Sequence, residues 1–247
     1  MQMVYNWLKT IQALAYPATC VLCGAPGREG RDLCRGCQDS LPHNRHACRL
    51  CALPLPATAP AGSLCGQCQQ RPPRFDRCLA ALCYEHPLDH LVSGLKFRDK
   101  LVYGRLLSGL LGDFLEHRGH ELPELLVPVP LHPSRQRERG FNQALELARP
   151  LARRFGIPVD IRALSRDRAT APQSGLDKKE RRRNIRGAFR LREGLAARHI
   201  AIVDDVVTTG NTVDELAGVL RRGGAARVEV WAVTRRAGGR KAIAPDG

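Results

Sequence analysis

His199-Ile200-Ala201-Ile202-Val203-Asp204-Asp205-Val206-Val207-Thr208-Thr209-Gly210-Asn211-Thr212 is the stretch from which the fold can be read. Its first residues are apolar and β-branched and predict a buried strand over His199–Asp204 that delivers two carboxylates at its end. A loop of small and hydroxyl-bearing residues follows and opens a helix over Val213–Arg222. Such a loop suits a phosphate. The hydroxyls of Thr208, Thr209 and Thr212 can donate, Gly210 lets backbone N–H groups come close, and the positive end of the helix dipole lies behind them. It is not a Walker loop, because no Gly-Lys-Ser/Thr follows. Adjacent Asp204 and Asp205 repel one another unless a cation or hydroxyl groups share their charge. A phosphorylated sugar with vicinal hydroxyls, together with Mg²⁺, answers both demands. A plain helix capped by Thr212 would account for neither acid.

Outward from this loop the chain alternates strand and helix signals. Gly223-Gly224 stops the helix, and Arg227–Thr234 reads as a last strand. Upstream, Cys78–Tyr84 alternates as a strand, Leu88–Phe97 and Leu101–His117 carry helical periodicity, and Leu125–Val129 is a short strand ended by prolines. Asn142–Phe155 reads as a helix capped by Gly156. Strands separated by helices predict an α/β fold, a parallel sheet flanked by helices on both faces. Ligands in such folds sit beyond the carboxyl ends of the strands, which points to the loops starting at Val129, near Leu164 and at Asp204.

The front of the chain is different. Eight of its ten cysteines stand as four Cys-x-x-Cys pairs, Cys20/Cys23, Cys34/Cys37, Cys48/Cys51 and Cys65/Cys68. Two such pairs supply four thiolates for one tetrahedral Zn²⁺, and Gly24, Gly36 and Gly66 would ease the tight turns. Sequential pairing gives two structural zinc sites, with interleaved pairing as the alternative. Disulfides are disfavoured because no secretion signal marks an oxidising compartment. Cys78 and Cys83 read as small core residues. Gln70-Arg71-Pro72-Pro73 ends this region. The expected organisation is an N-terminal helix over 1–17, a double zinc-ribbon module over 18–73, an α/β domain over 74–240 and a flexible tail over 241–247.

Thirty-nine Lys and Arg against 24 Asp and Glu leave a net charge of +15. Residues 162–200 hold 12 basic and 4 acidic residues, so +8 of that excess is local, and an anionic partner is expected. No apolar run is long enough to span a bilayer. A cytoplasmic location is expected.

Ile202–Thr212 resembles the phosphoribosyl pyrophosphate signature of type I phosphoribosyltransferases: apolar residues, two acids, two variable residues and Thr-Thr-Gly-x-Thr. From about Cys20 to Val233 the chain resembles the ComF (competence protein F) family. The carrying motifs, in order, are the cysteine pairs, Leu95-Lys96-Phe97, Val127-Pro128-Val129-Pro130-Leu131-His132, Arg137-Glu138-Arg139-Gly140-Phe141-Asn142-Gln143 and Pro172-Gln173. The resemblance implies that Asp204 and Asp205 hold the ribose hydroxyls, and that the loop through Val206, Val207, Thr208, Thr209, Gly210, Asn211 and Thr212 holds the 5-phosphate. It further implies a pyrophosphate loop from Val129 that includes Arg135, Arg137, Arg139 and Gly140. Arginine forks and a close-approach glycine suit that task on their own chemistry. A hood over Arg166–Arg186 would carry Arg166, Arg168, Gln173, Lys178, Lys179 and Arg181. The implied function is binding of phosphoribosyl pyrophosphate with Mg²⁺ in natural competence, in the uptake and processing of single-stranded DNA. Competence-machinery proteins, such as helicase or DNA-processing factors, would be its partners. The alternative is an active phosphoribosyltransferase of nucleotide salvage with no direct DNA role. No nucleobase pocket is legible, so the sequence names no acceptor.

Overall fold

A computed structural model describes residues 18–28, 30–95, 101–119, 121–168, 185–192, 194–195 and 197–238. The expected N-terminal helix, Lys96 and Phe97, the hood residues Gln173, Lys178, Lys179 and Arg181, and the tail lie outside the described residues. The chain divides into two compact units, Met1–Pro42 and His43–Gly247.

The first unit carries the first four cysteines around a short helix, α1 (Arg35–Asp39). Its knuckle Cys20-Val21-Leu22-Cys23-Gly24 closes through a Gly24 N–H donating to Cys20 O at 2.9 Å. Gly24 sits there at φ 75°, the left-handed region that a Cβ disfavours.

In the second unit the order is α2 (Gly66–Gln70), β1 (Arg77–Cys83), α3 (Leu88–Gly94), α4 (Leu101–Glu116), β2 (Leu125–Pro128), α5 (Pro133–Arg139) and α6 (Gln143–Phe155). It continues with β3 (Leu164–Arg166), β4 (Phe189–Leu191), β5 (His199–Val207), α7 (Asn211–Arg222) and β6 (Arg227–Arg235). β1, β6, β5 and β2 pair in that spatial order, all parallel. α4 packs on β1 and β6, and α6 on β2 and β5, while α7 lies against β4, β5 and β6. The sheet is therefore covered on both faces, as a parallel sheet of continuous apolar strands requires. Ile200 and Ile202 of β5 are fully buried with Val213, Leu216 and Leu220 of α7. By the two-residue period of a strand, Ala201 and Val203 serve the opposite face.

Three local details differ from the sequence reading. β5 continues past the acids to Val207, because Val206 and Val207 still pair with Thr234 and Arg235 of β6. The segment after β2 is not an open loop: Pro133, well placed in a first helical turn, starts the short helix α5, and Gly140 ends it at φ 75°. Gly36 and Gly66 relieve no knuckle. They lie in α1 and α2, and Ala52 takes the left-handed position in the second knuckle, at φ 54°. Its N–H donates to Cys48 O at 2.9 Å, as Gly24 does to Cys20.

A buried ionic network ties the amino ends of the strands together. Glu229 is fully buried and faces Arg77 at 2.8 Å, Arg227 at 2.8 Å and His199 at 3.1 Å. Trp231 Nε1 donates to its other oxygen at 3.3 Å. Burial pushes the Glu229 carboxyl up, but the Arg77 and Trp231 donors and the flanking charges outweigh it and hold it below its ordinary value.

Candidate functional site

Beyond the carboxyl ends of β2 and β5 the structure gathers most of the residues singled out from sequence. Val129 N–H donates to Val203 O at 3.0 Å, so the segment after β2 begins beside the Asp204–Asp205 pair. Asn142 closes the base of that segment. Its Nδ2 donates to Val129 O at 3.0 Å, and its Oδ1 accepts from Ala144 N–H at 3.0 Å to cap α6. Arg139 is half-buried and donates to Gln143 at 3.0 Å. Arg137, on the last turn of α5, is exposed.

Burial and the neighbouring Asp205 carboxylate push the Asp204 carboxyl well above its ordinary value, against the backbone N–H of Asp205 and the Arg166 guanidinium, which draw it down. Arg166 is itself pulled below its ordinary value by burial and by Arg135, with Asp204 opposing. Arg135, Arg166 and Asp204, from α5, β3 and β5, thus lie within electrostatic reach of one another.

Arg166 ends β3, which pairs antiparallel with β4 through Arg166 and Phe189. Arg168 Nη2 donates to Arg186 O at 3.1 Å and Asp167 N–H to Ala188 O at 3.1 Å, which closes the neck of the expected hood. Gly187 N–H donates to Glu215 of α7 at 3.1 Å, tying that neck to the helix behind the phosphate loop.

In the loop itself Gly210 stands at φ 79° and precedes α7 with no side chain capping the helix. The plain alternative, a cap at Thr212, falls, because the cap position is Gly210, two residues earlier. Asn211 N–H leans on Thr209 Oγ1 at 3.4 Å, while Asn211 Nδ2 is buried without a hydrogen-bond partner. A buried donor left over at an uncapped helix start is a fit for an anion.

The cysteines form two sets, Cys20, Cys23, Cys34 and Cys37, and Cys48, Cys51, Cys65 and Cys68, with all sulfurs of each set within 4.8 Å. Pairing is sequential, and the interleaved alternative falls. The Cys23–Cys34 and Cys51–Cys65 sulfurs are 3.7 Å and 3.6 Å apart, close to the roughly 3.8 Å edge of a tetrahedron with Zn–S bonds of about 2.3 Å. Four thiolates leave no open position, so both sets are built for structural zinc. Burial raises the Cys48 thiol, but backbone N–H groups of Cys51, Cys65 and Leu50 bring it down to about 7. Cys78 is a packed thiol, pushed up by burial to about 12. The second set belongs to the body of the sheet: Cys78 N–H donates to Leu50 O at 2.7 Å, and Asn44 Nδ2 joins Ala52 O at 2.9 Å to Ala80 O at 3.4 Å.

One feature escaped the sequence reading. A groove of about 640 Å³ along the amino half of β1 is lined by Arg45, His46, Arg49, Arg77, Phe114 and Arg118 among others, with no acidic side chain among its described lining residues. Arg118 lies 4.6 Å over the Phe114 ring. Arg77 faces Glu229, whereas the exposed Arg45, Arg49 and Arg118 have no carboxylate partner among the described residues. Arg45 and Arg49 lie in the second ribbon, far in sequence from Arg77 and Arg118, and gave no sequence signal.

A double zinc ribbon domain matches residues 11–69, and a phosphoribosyl transferase domain matches residues 142–246. The DNA utilization protein YhgH of Escherichia coli (strain K12) is 40% identical over 227 residues, covering 90% of this chain and 99% of that protein. Competence protein F of Haemophilus influenzae is 35% identical over 210 residues, covering 82% and 90%. Competence protein ComFC of Bacillus subtilis is 27% identical over 215 residues, covering 82% and 84%.

Proposed function

The chain belongs to the competence protein F (ComF) family, and from that membership we propose that it binds phosphoribosyl pyrophosphate with Mg²⁺ and works in the uptake and handling of single-stranded DNA. The carrying observation is the pair Asp204–Asp205 at the end of β5, one carboxyl held well above its ordinary value, directly before an uncapped helix start with an unpartnered buried amide donor. In this reading the Asp204 and Asp205 carboxylates accept from the two ribose hydroxyls, which spreads their charge. The backbone and hydroxyls from Thr208 to Thr212 hold the 5-phosphate.

Arg135 and Arg139 would serve the pyrophosphate, and Arg166, within electrostatic reach of Arg135 and Asp204, would add positive charge beside them. Charge on the leaving group would be neutralised by these guanidiniums, and Mg²⁺, when bound with the sugar, supplies further positive charge there. The ring is positioned by the acids, so none of them need act as a base. Hood residues Gln173, Lys178, Lys179 and Arg181 would exclude water once closed. Transfer to an acceptor stays a secondary reading.

The groove beside β1 favours a nucleic-acid role as well. Three unpaired arginines and a ring suit a phosphodiester backbone with one stacked base, and the relatives named for DNA utilization and competence agree with that use. Calorimetric titration with phosphoribosyl pyrophosphate, with and without Mg²⁺, tests the first part. Heat that vanishes in Asp204→Ala/Asp205→Ala supports it, and absence of heat at millimolar sugar overturns it. Retention of single-strand binding by the same double variant would place the two ligands at separate sites.

A further inference from the structure

We propose that Arg235 is a positioning residue joining the second zinc centre to the phosphate loop, so that metal on one side and sugar phosphate on the other reinforce each other. This rests on the reading of the Asp204–Thr212 loop given above. Arg235 ends β6 opposite Val207, and only 4% of it is exposed. Its Nε donates to Cys51 O at 2.8 Å. Its Nη1 donates to Val207 O at 2.9 Å, to Thr208 O and to Arg236 O at 3.1 Å. Nη2 stands 4.0 Å from Cys51 Sγ. One guanidinium therefore grips the zinc knuckle with one edge and the first residues of the loop with the other.

Two consequences follow from elementary chemistry. Val207 and Thr208 both turn their carbonyls towards Arg235. In planar trans peptides the N–H groups of Thr208 and Thr209 must then point the opposite way, and successive N–H groups on one side form a concave anion seat. The seat is held open by Arg235.

Secondly, every oxygen that Arg235 reaches is an uncharged carbonyl, and no carboxylate pairs with it among the described residues. A buried guanidinium needs a counter-charge. A zinc ion bound by four thiolates carries a net double negative charge, and Cys51 places it within reach. The metal thus stabilises the cation that shapes the loop. By linkage, a phosphate on the loop must stabilise the metal by the same factor. A cavity of about 340 Å³, lined by Cys51, Cys65, Cys68, Thr209, Gly210 and Arg235 among others, lies between the two sites.

The test uses the full, zinc-replete chain, with zinc release to a coloured chelator followed with and without phosphoribosyl pyrophosphate and Mg²⁺. In the wild type two release phases are expected, and the sugar slows one of them at least fivefold. The slowed phase is the one missing from Cys48→Ser, and the phase belonging to the first cysteine set is unchanged. Arg235→Lys and Arg235→Gln, each holding two zinc ions, lose the slowing and bind the sugar about tenfold more weakly by calorimetry. A lysine cannot serve both edges at once, so it does not rescue. Sugar binding by the wild type that leaves both release phases unchanged overturns the proposal, whatever the variants do. Unaltered affinity in folded Arg235 variants also overturns it. A wild type that binds no sugar at all overturns the functional reading itself, a separate result.

Discussion

The backbone N–H of Asp205 donates to Oδ1 of Asp204 at 3.0 Å, which turns the first carboxylate of the pair back on its own strand. Val206 N–H does the same for Asp205 at 3.0 Å. Each acid is thereby oriented without a cation, but burial and the neighbouring Asp205 disfavour ionisation of Asp204, and the apo protein bears the cost.

Asp204→Asn is accordingly expected to stabilise the unliganded protein by about 1 kcal/mol at neutral pH while removing phosphoribosyl pyrophosphate binding. The pH dependence follows from the raised carboxyl. The native state holds its proton at pH values where the unfolded chain, with an ordinary value near 3.8, has lost it. Wild-type stability therefore falls as pH rises from that ordinary value through the raised one. Thermal melts from pH 4 to 8 should show this slope in the wild type and a flatter one in the variant. A variant that melts lower than the wild type at pH 7.5 would refute the idea that the pair is strained.

Glu229 makes the opposite case, a buried acid held by cations. Glu229→Gln leaves Arg77 and His199 with no carboxylate partner among the described residues, while Arg227 keeps Glu121 at 2.9 Å, so a loss of about 3 kcal/mol is expected. Its depressed value means that its contribution is present above the ordinary carboxyl value of 4.5 and is lost as pH falls through the native one. Trp231, bonded to Glu229 and edge-on to Phe155 at 5.8 Å, reports the unfolding. Urea titration followed by its fluorescence in a Trp7→Phe background measures the change, and a difference under 1 kcal/mol would contradict the role given to the network.

The four sheet strands and the long helices were legible because each is periodic and each stop is chemical: Gly156 and Gly223 end helices, and Asn142 starts one, whereas the short helix Pro133–Arg139 and the three-residue strands β3 and β4 are too brief to carry a period. The phosphate loop was legible because its chemistry is contiguous in sequence. The cysteine sets were legible for the same reason, two residues apart in pairs. What could not be read is whatever depends on pairing across the chain. Arg235 looked like one more arginine at the end of an apolar strand, and its partners Cys51 and Val207 lie 184 and 28 residues away. Arg45, Arg49 and Arg118 share a groove only because β1 and the second ribbon meet there. Ala52 was overlooked since a left-handed residue is expected to be glycine, asparagine or aspartate.

The two zinc centres should fail differently. Cys48→Ser removes a ligand from the set that is bonded into β1 through Leu50 and Ala52, so the unfolding midpoint of the phosphoribosyl transferase-like unit should drop by several degrees. Cys20→Ser disturbs a set within the other compact unit, and the same midpoint should move by less than about 2 °C. Zinc counting by atomic emission, with one ion expected in each variant against two in the wild type, verifies that each lesion is confined. Equal destabilisation by both substitutions would contradict the assignment of the second set to the sheet.

Arg45→Ala, Arg49→Ala and Arg118→Ala together test the groove. If a single strand lies there, each arginine neutralises about one phosphate, and the slope of log affinity against log salt should fall in magnitude by about 2 when all three are removed. Fluorescence anisotropy of a labelled oligothymidine across 50–300 mM salt reads both the slope and the affinity. None of the three touches the Asp204–Thr212 loop, so calorimetry with phosphoribosyl pyrophosphate should be unchanged, and that also certifies the fold. Phe114→Leu should weaken binding by about 1–3 kcal/mol with no change in the salt slope, because stacking carries no counterion release. Arg118 would keep its charge in that variant and lose only the ring beneath it. An unaltered salt slope in the triple variant would move the DNA contact to another surface, with the basic segment around residues 178–186 the next to be substituted.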